Sequence, residues 1–294
     1  MKGKKMRDYV ILTDSGTDLT REKAKEVDVT VLDLMVIKEG DPTPYPNSEV
    51  DVKEFYSFLR TKKTATTSAI NSDTFCEEME KILNEGKDIL YLGFSSGLSN
   101  TFNAGRIAAE EMSQKYPEAK VYACDTLCAS LGEGLLVYLA AKKRLAGASI
   151  DEVRDFVEEN KLHLCHEFTV DDLMFLKRGG RVSATTAVIG TALGIKPVMH
   201  VDNEGHLVKV GTARGRRASI DALFNRVKAR AIDIENQPVF ICHGDCIDDA
   251  NYLVGRLTGE LGVKEAVYIG YTGVVIGSHS GPGTLAVFYL GTER

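Results

Sequence analysis

The chain has 294 residues, of which 44% are hydrophobic and 27% charged, with a formal net charge of −6. That length exceeds the usual single domain, so two domains sharing an interface are expected. No run approaches the roughly 18 apolar residues of a membrane helix, and the acidic balance argues against wholesale nucleic-acid binding.

The first seven residues are basic and lead straight into the apolar run 9–12, which leaves no room for a signal-peptide core and points to the cytoplasm. Six cysteines without the dense spacing of a disulfide framework fit a reducing compartment. In chain order, strands are expected over 9–13, 29–37, 89–94 and 121–124, and helices over 52–60, 72–84, 100–115, 129–145 and 150–162. This alternation predicts a mainly parallel sheet with flanking helices. The stretch 39–46 holds three of the seven prolines and reads as a loop. The pattern changes after 162, which divides the chain into an N-terminal α/β domain, 1–164, and a C-terminal mixed-sheet α/β domain, 165–294. The second half reads as helices over 170–177 and 184–193, then a hairpin of 195–201 and 207–213 across Asp202-Asn203-Glu204-Gly205. A basic helix over 216–231, strand 239–242, helix 249–261, strand 266–271 and strand 285–290 follow.

Four polar motifs interrupt this pattern. Ser95 and Ser96, in Gly93-Phe94-Ser95-Ser96-Gly97, sit where a strand turns into a helix, and their hydroxyls and nearby N–H groups suit an anion. Thr67 and Ser68 precede a second helix start at the same sheet edge, although serine and threonine at such places are also ordinary caps. Arg178 and Arg181 flank Gly179-Gly180 after a helix, where Gly179 suits a C-cap and a guanidinium suits a carboxylate or phosphate. His279 lies in the glycine-rich stretch Gly277-Ser278-His279-Ser280-Gly281-Pro282-Gly283, read as a loop that brings it against another element.

Gly93–Gly97 also matches G-x-S-x-G, so a serine hydrolase with Ser95 as nucleophile, Asp125 as its orienting acid and His279 as base is the rival reading. Cys242 to Cys246 only just meets zinc-ligand spacing, and no metal is expected. The arginines at 214, 216, 217, 226 and 230 read as a solvated basic face or a strip for an acidic partner.

Together Thr13-Asp14-Ser15, Thr66-Thr67-Ser68, Gly93-Phe94-Ser95-Ser96-Gly97-Leu98-Ser99, Phe175-Leu176-Lys177-Arg178-Gly179-Gly180-Arg181 and His279-Ser280-Gly281-Pro282-Gly283 resemble the DegV family. These are bacterial fatty-acid-binding proteins of two α/β domains. The resemblance implies a long-chain fatty acid as ligand, no cofactor, no catalysis by the chain itself, and a dihydroxyacetone-kinase-like fatty acid kinase as partner. It implies carboxylate contacts at Thr67, Ser95, Ser96 and His279, with Ser68, Arg178, Arg214, Ser280 and Gly281 supporting the head group or facing the partner. Two stretches depart from the family: Ala69-Ile70 replace its Gln-Pro, and Ser99-Asn100-Thr101-Phe102-Asn103 replace its Ser-Gly-Thr-Tyr-Gln. The buried carboxylate would need the donors that these hydroxyls and the imidazole supply, and the apolar residues 188–195 would help wall the tail.

Overall fold

The structure, a computed structural model, describes residues 7–183, 194–264 and 267–294. Its first half contains strands β1 (Tyr9–Asp14), β2 (Val29–Leu32), β3 (Met35–Lys38), β4 (Asp41–Pro46), β5 (Ala65–Ser68), β6 (Asp88–Gly93) and β7 (Val121–Asp125). Helices α1 (Arg21–Glu26), α2 (Val52–Arg60), α3 (Ser72–Asn84), α4 (Thr101–Lys115), α5 (Leu131–Leu145) and α6 (Ile150–Asn160) connect them. The second half runs β8 (Leu164–Thr169), α7 (Leu173–Arg178), β9 (Ile195–Val201), β10 (Leu207–Arg214), α8 (Arg216–Arg230), β11 (Val239–His243), α9 (Ile247–Leu261), β12 (Val267–Tyr271), α10 (Val274–Ser280) and β13 (Leu285–Leu290).

The first sheet is parallel throughout, in the order β2-β1-β6-β7. Every residue of β6 is buried, as a central strand covered on both faces requires. Helix α3 places Phe75, Met79 and Leu83 four residues apart, so one stripe faces the core, and the Asn71 side chain caps its start by accepting from Thr74 N–H at 2.8 Å. Helix α5 packs against both halves, because Leu131, Leu135 and Leu136 share one core cluster with Phe168, Phe240 and Phe288. The second sheet is mixed, in the order β10-β9-β8-β13-β11-β12, with only β11 and β12 parallel.

Several elements differ from their sequence reading. The run 29–37 is two strands in different sheets, because the chain turns at Asp33-Leu34: Leu34 N–H donates to Ser15 Oγ at 2.9 Å, and the Asp33 carboxylate accepts from Ser48 N–H at 3.0 Å. The proline-rich stretch is a strand rather than a loop, since β4 is the edge of a three-stranded antiparallel sheet, β4-β3-β5, where a missing N–H faces outward. Strands β5 and β8 were not anticipated from their short, polar-interrupted patterns. The helix expected over 184–193, and with it most of the wall expected from 188–195, lies outside the described residues.

The carboxyl ends of β1, β6 and β7 meet one face of the second sheet. The crevice outside the strand ends is where an open α/β sheet presents ligands. Asp14 holds this edge together: its buried carboxylate accepts from Gly16 N–H at 3.0 Å and from Phe94 N–H and Tyr91 O–H at 3.1 Å each.

Candidate functional site

A cavity occupies that junction. Phe94 and Leu98 from the turn after β6, Ala129 and Ser130 from the segment after β7, and Val275 and Ile276 from α10 enclose it from one side. Phe168, Ala286 and Phe288 on the second sheet, with Val201 and Leu207 from the β9–β10 hairpin, form the other. These walls are mainly apolar, and Thr67, Ser99, Ser130, His166, Arg181, Thr272, His279, Ser280 and Thr284 supply polar atoms.

Strand β5 alternates inward and outward, so Thr67 turns towards the cavity while Thr66 and Ser68 are exposed. Thr67 Oγ1 and His279 Nε2 are 2.8 Å apart. His279 stands in the last turn of α10 rather than in a loop, and Gly281 ends that helix at φ +77°, a conformation suited to glycine. Two contacts from the first half fix the helix: Val275 N–H donates to Asn47 Oδ1 at 3.2 Å, and Gly277 lies so near the Tyr56 hydroxyl that a Cβ would come within 2.6 Å. On the far side of the imidazole, a Cβ at Gly179 would lie 2.2 Å from His279 Nδ1. Burial, reinforced by the Arg181 guanidinium, lowers the His279 pKa to about 4, so the ring is neutral at pH 7. It therefore offers a hydrogen bond, not a charge.

Arg181 supplies the charge. Its Nε donates to Leu98 O at 3.0 Å and its Nη1 to Gly179 O, which ties the turn after α7 to the turn after β6. Ser280 is 5% exposed, and among the described residues its hydroxyl has no hydrogen-bond partner. A buried hydroxyl left without a partner at the polar end of an apolar cavity is where a ligand oxygen would be received. The opposite end has no such vacancy, because His166 accepts from Ala129 N–H at Nε2, 3.2 Å away, and its Nδ1 lies 3.0 Å from Leu164 O.

Several expected site residues stand elsewhere. Ser95 is fully buried and donates its hydroxyl to Gly205 O at 2.9 Å, so it secures the β9–β10 turn and does not border the cavity. Ser96 is exposed, with its N–H turned to Asp125 Oδ1 at 3.3 Å. The wall takes Ser99 from the same motif, whose hydroxyl also accepts from Thr101 N–H at 3.2 Å where α4 begins. Arg178 is exposed and lies over the Phe175 ring at 4.6 Å, while Arg214 is exposed at the end of β10. Gly281 shapes the backbone, since a Cβ there would meet the Phe175 ring at 2.5 Å.

The hydrolase arrangement is not assembled. Ser95 is bonded to Gly205, His279 to Thr67, and Asp125 Oδ1 accepts from Leu127 N–H at 3.0 Å. Among the described residues no group of acidic, histidine and cysteine side chains is placed to hold a metal, and no helix is long and apolar enough to cross a membrane. The basic face of α8 is largely engaged: Arg216 Nε donates to Asp249 at 2.8 Å, Arg226 pairs with the buried Glu167, and Arg217 covers the Tyr252 ring.

The fold and cavity define an α/β protein of two main sheets and a small third one, with a largely apolar chamber that carries a cluster of polar groups at one end. Residues 8–292 match the family model described as "Uncharacterised protein, DegV family". The chain belongs to the DegV family. It is 46% identical over 292 residues to a DegV domain-containing protein of Clostridium perfringens, covering 98% of this chain and 99% of that one. The fold superposes with a TM-score of 0.86 on a DegV family protein from Thermus thermophilus described by its fatty acid binding, at 30% identity over 97% of this chain and 100% of that one. For DegV of Bacillus subtilis, described as a fatty acid binding protein, the TM-score is 0.82 at 26% identity, over 97% of this chain and 100% of that one.

Proposed function

We propose that this protein binds a long-chain fatty acid, with the carboxylate at Thr67, His279, Ser280 and Arg181 and the tail in the apolar cavity. The observation that carries the reading is the unpartnered Ser280 hydroxyl, buried beside the Thr67–His279 pair where an apolar chamber turns polar. A carboxylate drawn into such a chamber requires donors and a compensating cation. Two hydroxyls, a neutral imidazole and a guanidinium meet that need without any cofactor. Relatives in the same family described as fatty-acid-binding support the same ligand class.

The reading extends to a non-catalytic carrier working in the cytoplasm that offers the carboxylate to a separate fatty acid kinase, which forms the acyl phosphate. The donors taken for the carboxylate stand together at one end of the chamber, so the carboxylate, not the methyl end, is the part a partner would meet. The exposed Arg178 and Arg214 are proposed to face that partner. The domains are taken as 1–164 and 165–294, β8 being the first strand of the second sheet.

Thr67→Ala and Ser280→Ala are expected to weaken palmitate binding by roughly tenfold each, the size of a hydrogen bond to a charged group. Titration of delipidated protein with palmitate checks this. Unchanged affinity in both variants would remove the head-group assignment.

A further inference from the structure

Strand register gives the cavity a direction. Thr284, just before β13, and Ala286 and Phe288 on it bound the cavity, two residues apart and so on one face. Thr284 is the head-group end, because its hydroxyl donates to Gly281 O at 2.8 Å, just past His279 and Ser280. From there to Phe288 four strand residues span about 14 Å. An extended alkyl chain advances roughly 1.3 Å per carbon, set by C–C bonds near 1.5 Å in staggered geometry. The straight leg thus takes about ten carbons.

At its middle level the leg passes over Ala286, with Cys242 opposite on β11 and Phe168 opposite on β8. Met199 lies level with Phe168 on β9 and is buried, but is not among the described residues that border the cavity, so among these the floor gains no width on that side. At the next level the leg is stopped. Phe288 faces His166 across the β13–β8 pair, with the rings edge to face at 5.3 Å. The imidazole cannot swing away, because both its nitrogens are hydrogen-bonded.

The same level opens sideways. Phe168 pairs with Met199 and Glu167 with His200, so one further residue along the register sets Val201 beside His166, and Val201 pairs with Leu207. Val201 and Leu207 both border the cavity, whereas Phe240, on the other side of Phe288, does not. From His166 on β8, the two strand spacings to β10 add about 10 Å, or some eight carbons, at right angles to the first leg. The chamber floor is therefore bent, with its corner near the tenth carbon.

Resting on the fatty-acid reading above, we propose that the site prefers a chain bent near its middle, that is, a cis-monounsaturated acid of about 18 carbons, with Phe288 and His166 as the wall that disfavours straight chains. Stearate, oleate and elaidate share length and head group; only oleate carries a permanent bend. Displacement of 1-anilinonaphthalene-8-sulfonate from delipidated protein by each acid is expected to show oleate binding at least tenfold more tightly than the other two. Equal affinity for oleate and elaidate would overturn the bent-site proposal and leave the fatty-acid reading standing. Direct titration in which none of the three binds would overturn both. Phe288→Leu, which keeps an apolar residue in the core, is expected to narrow the oleate-to-elaidate ratio severalfold; an unchanged ratio would remove Phe288 as the selecting wall.

Discussion

His279 and Asp18 show how burial sets the chemistry around the cavity. His279 is pushed down to about 4, so the stability gained by burying a neutral ring is present above the unfolded value near 6.5 and is lost as pH falls towards 4. Asp18 behaves oppositely. It is buried behind the cavity wall, accepts a hydrogen bond from Ser130, and burial raises its pKa to about 7. Asp14, raised to about 6, and Glu133, raised well above its ordinary value, lie in the same buried region. Because the folded-state value of Asp18 exceeds the unfolded one near 3.8, its protonated form favours folding below about pH 4, and that contribution disappears as pH rises through about 7. Asp18→Asn should therefore gain in melting temperature over the parent protein progressively from pH 4 to pH 8, by several degrees at the upper end. Thermal melts across that range check it, and a difference independent of pH would contradict it. At this scale the sequence was informative where a motif supplies the contact, as with Thr67 and His279. Ser95 and Ser96 stand away from the cavity, because which hydroxyl of a turn faces inward depends on a hairpin 110 residues away, whose Gly205 carbonyl accepts the Ser95 hydrogen bond.

Helix α10 shows what an element contributes beyond its residues. The glycine content of 277–283 argued for a loop, yet Gly277 and Gly281 serve close packing and a helix end: the first against Tyr56, the second against Phe175. Periodicity could not reveal a seven-residue helix held by contacts from the first half, and no local pattern marks the edge strand β4, whose prolines are tolerated only because one side is unpaired. The long elements were legible because each carries its own signal, such as the 13-residue α3 with its side-chain cap and apolar stripe. The meeting of α7 and α10 yields a direct test. Gly179 has φ −70°, open to any residue, so alanine there strains no backbone and is obstructed only by the His279 ring. Gly179→Ala is predicted to displace His279 and weaken palmitate binding by tenfold or more with the melting temperature within a few degrees of the parent. Unaltered binding would show that the ring's position is not what matters.

The whole molecule joins its two main sheets through shared core and a few buried polar ties. Arg294 is one of these ties: 8% exposed, it donates to the carbonyls of Leu127, Lys161, Leu164 and Asp202, and so holds both halves and the β9–β10 turn together. The alternation of strands and helices made the parallel first half and the mixed second half readable. The cavity was not, since its walls come from segments scattered between Gly16 and Phe288 and its bend from pairings between strands distant in sequence. The claim that unites these scales is that the chamber holds an acyl chain by its carboxylate. Native mass spectrometry of the purified protein, followed by denaturing extraction and identification of what is released, tests it most directly. The account predicts one fatty acid per chain, lost on His279→Ala purification. Protein that emerges empty and takes up neither added palmitate nor oleate would contradict it.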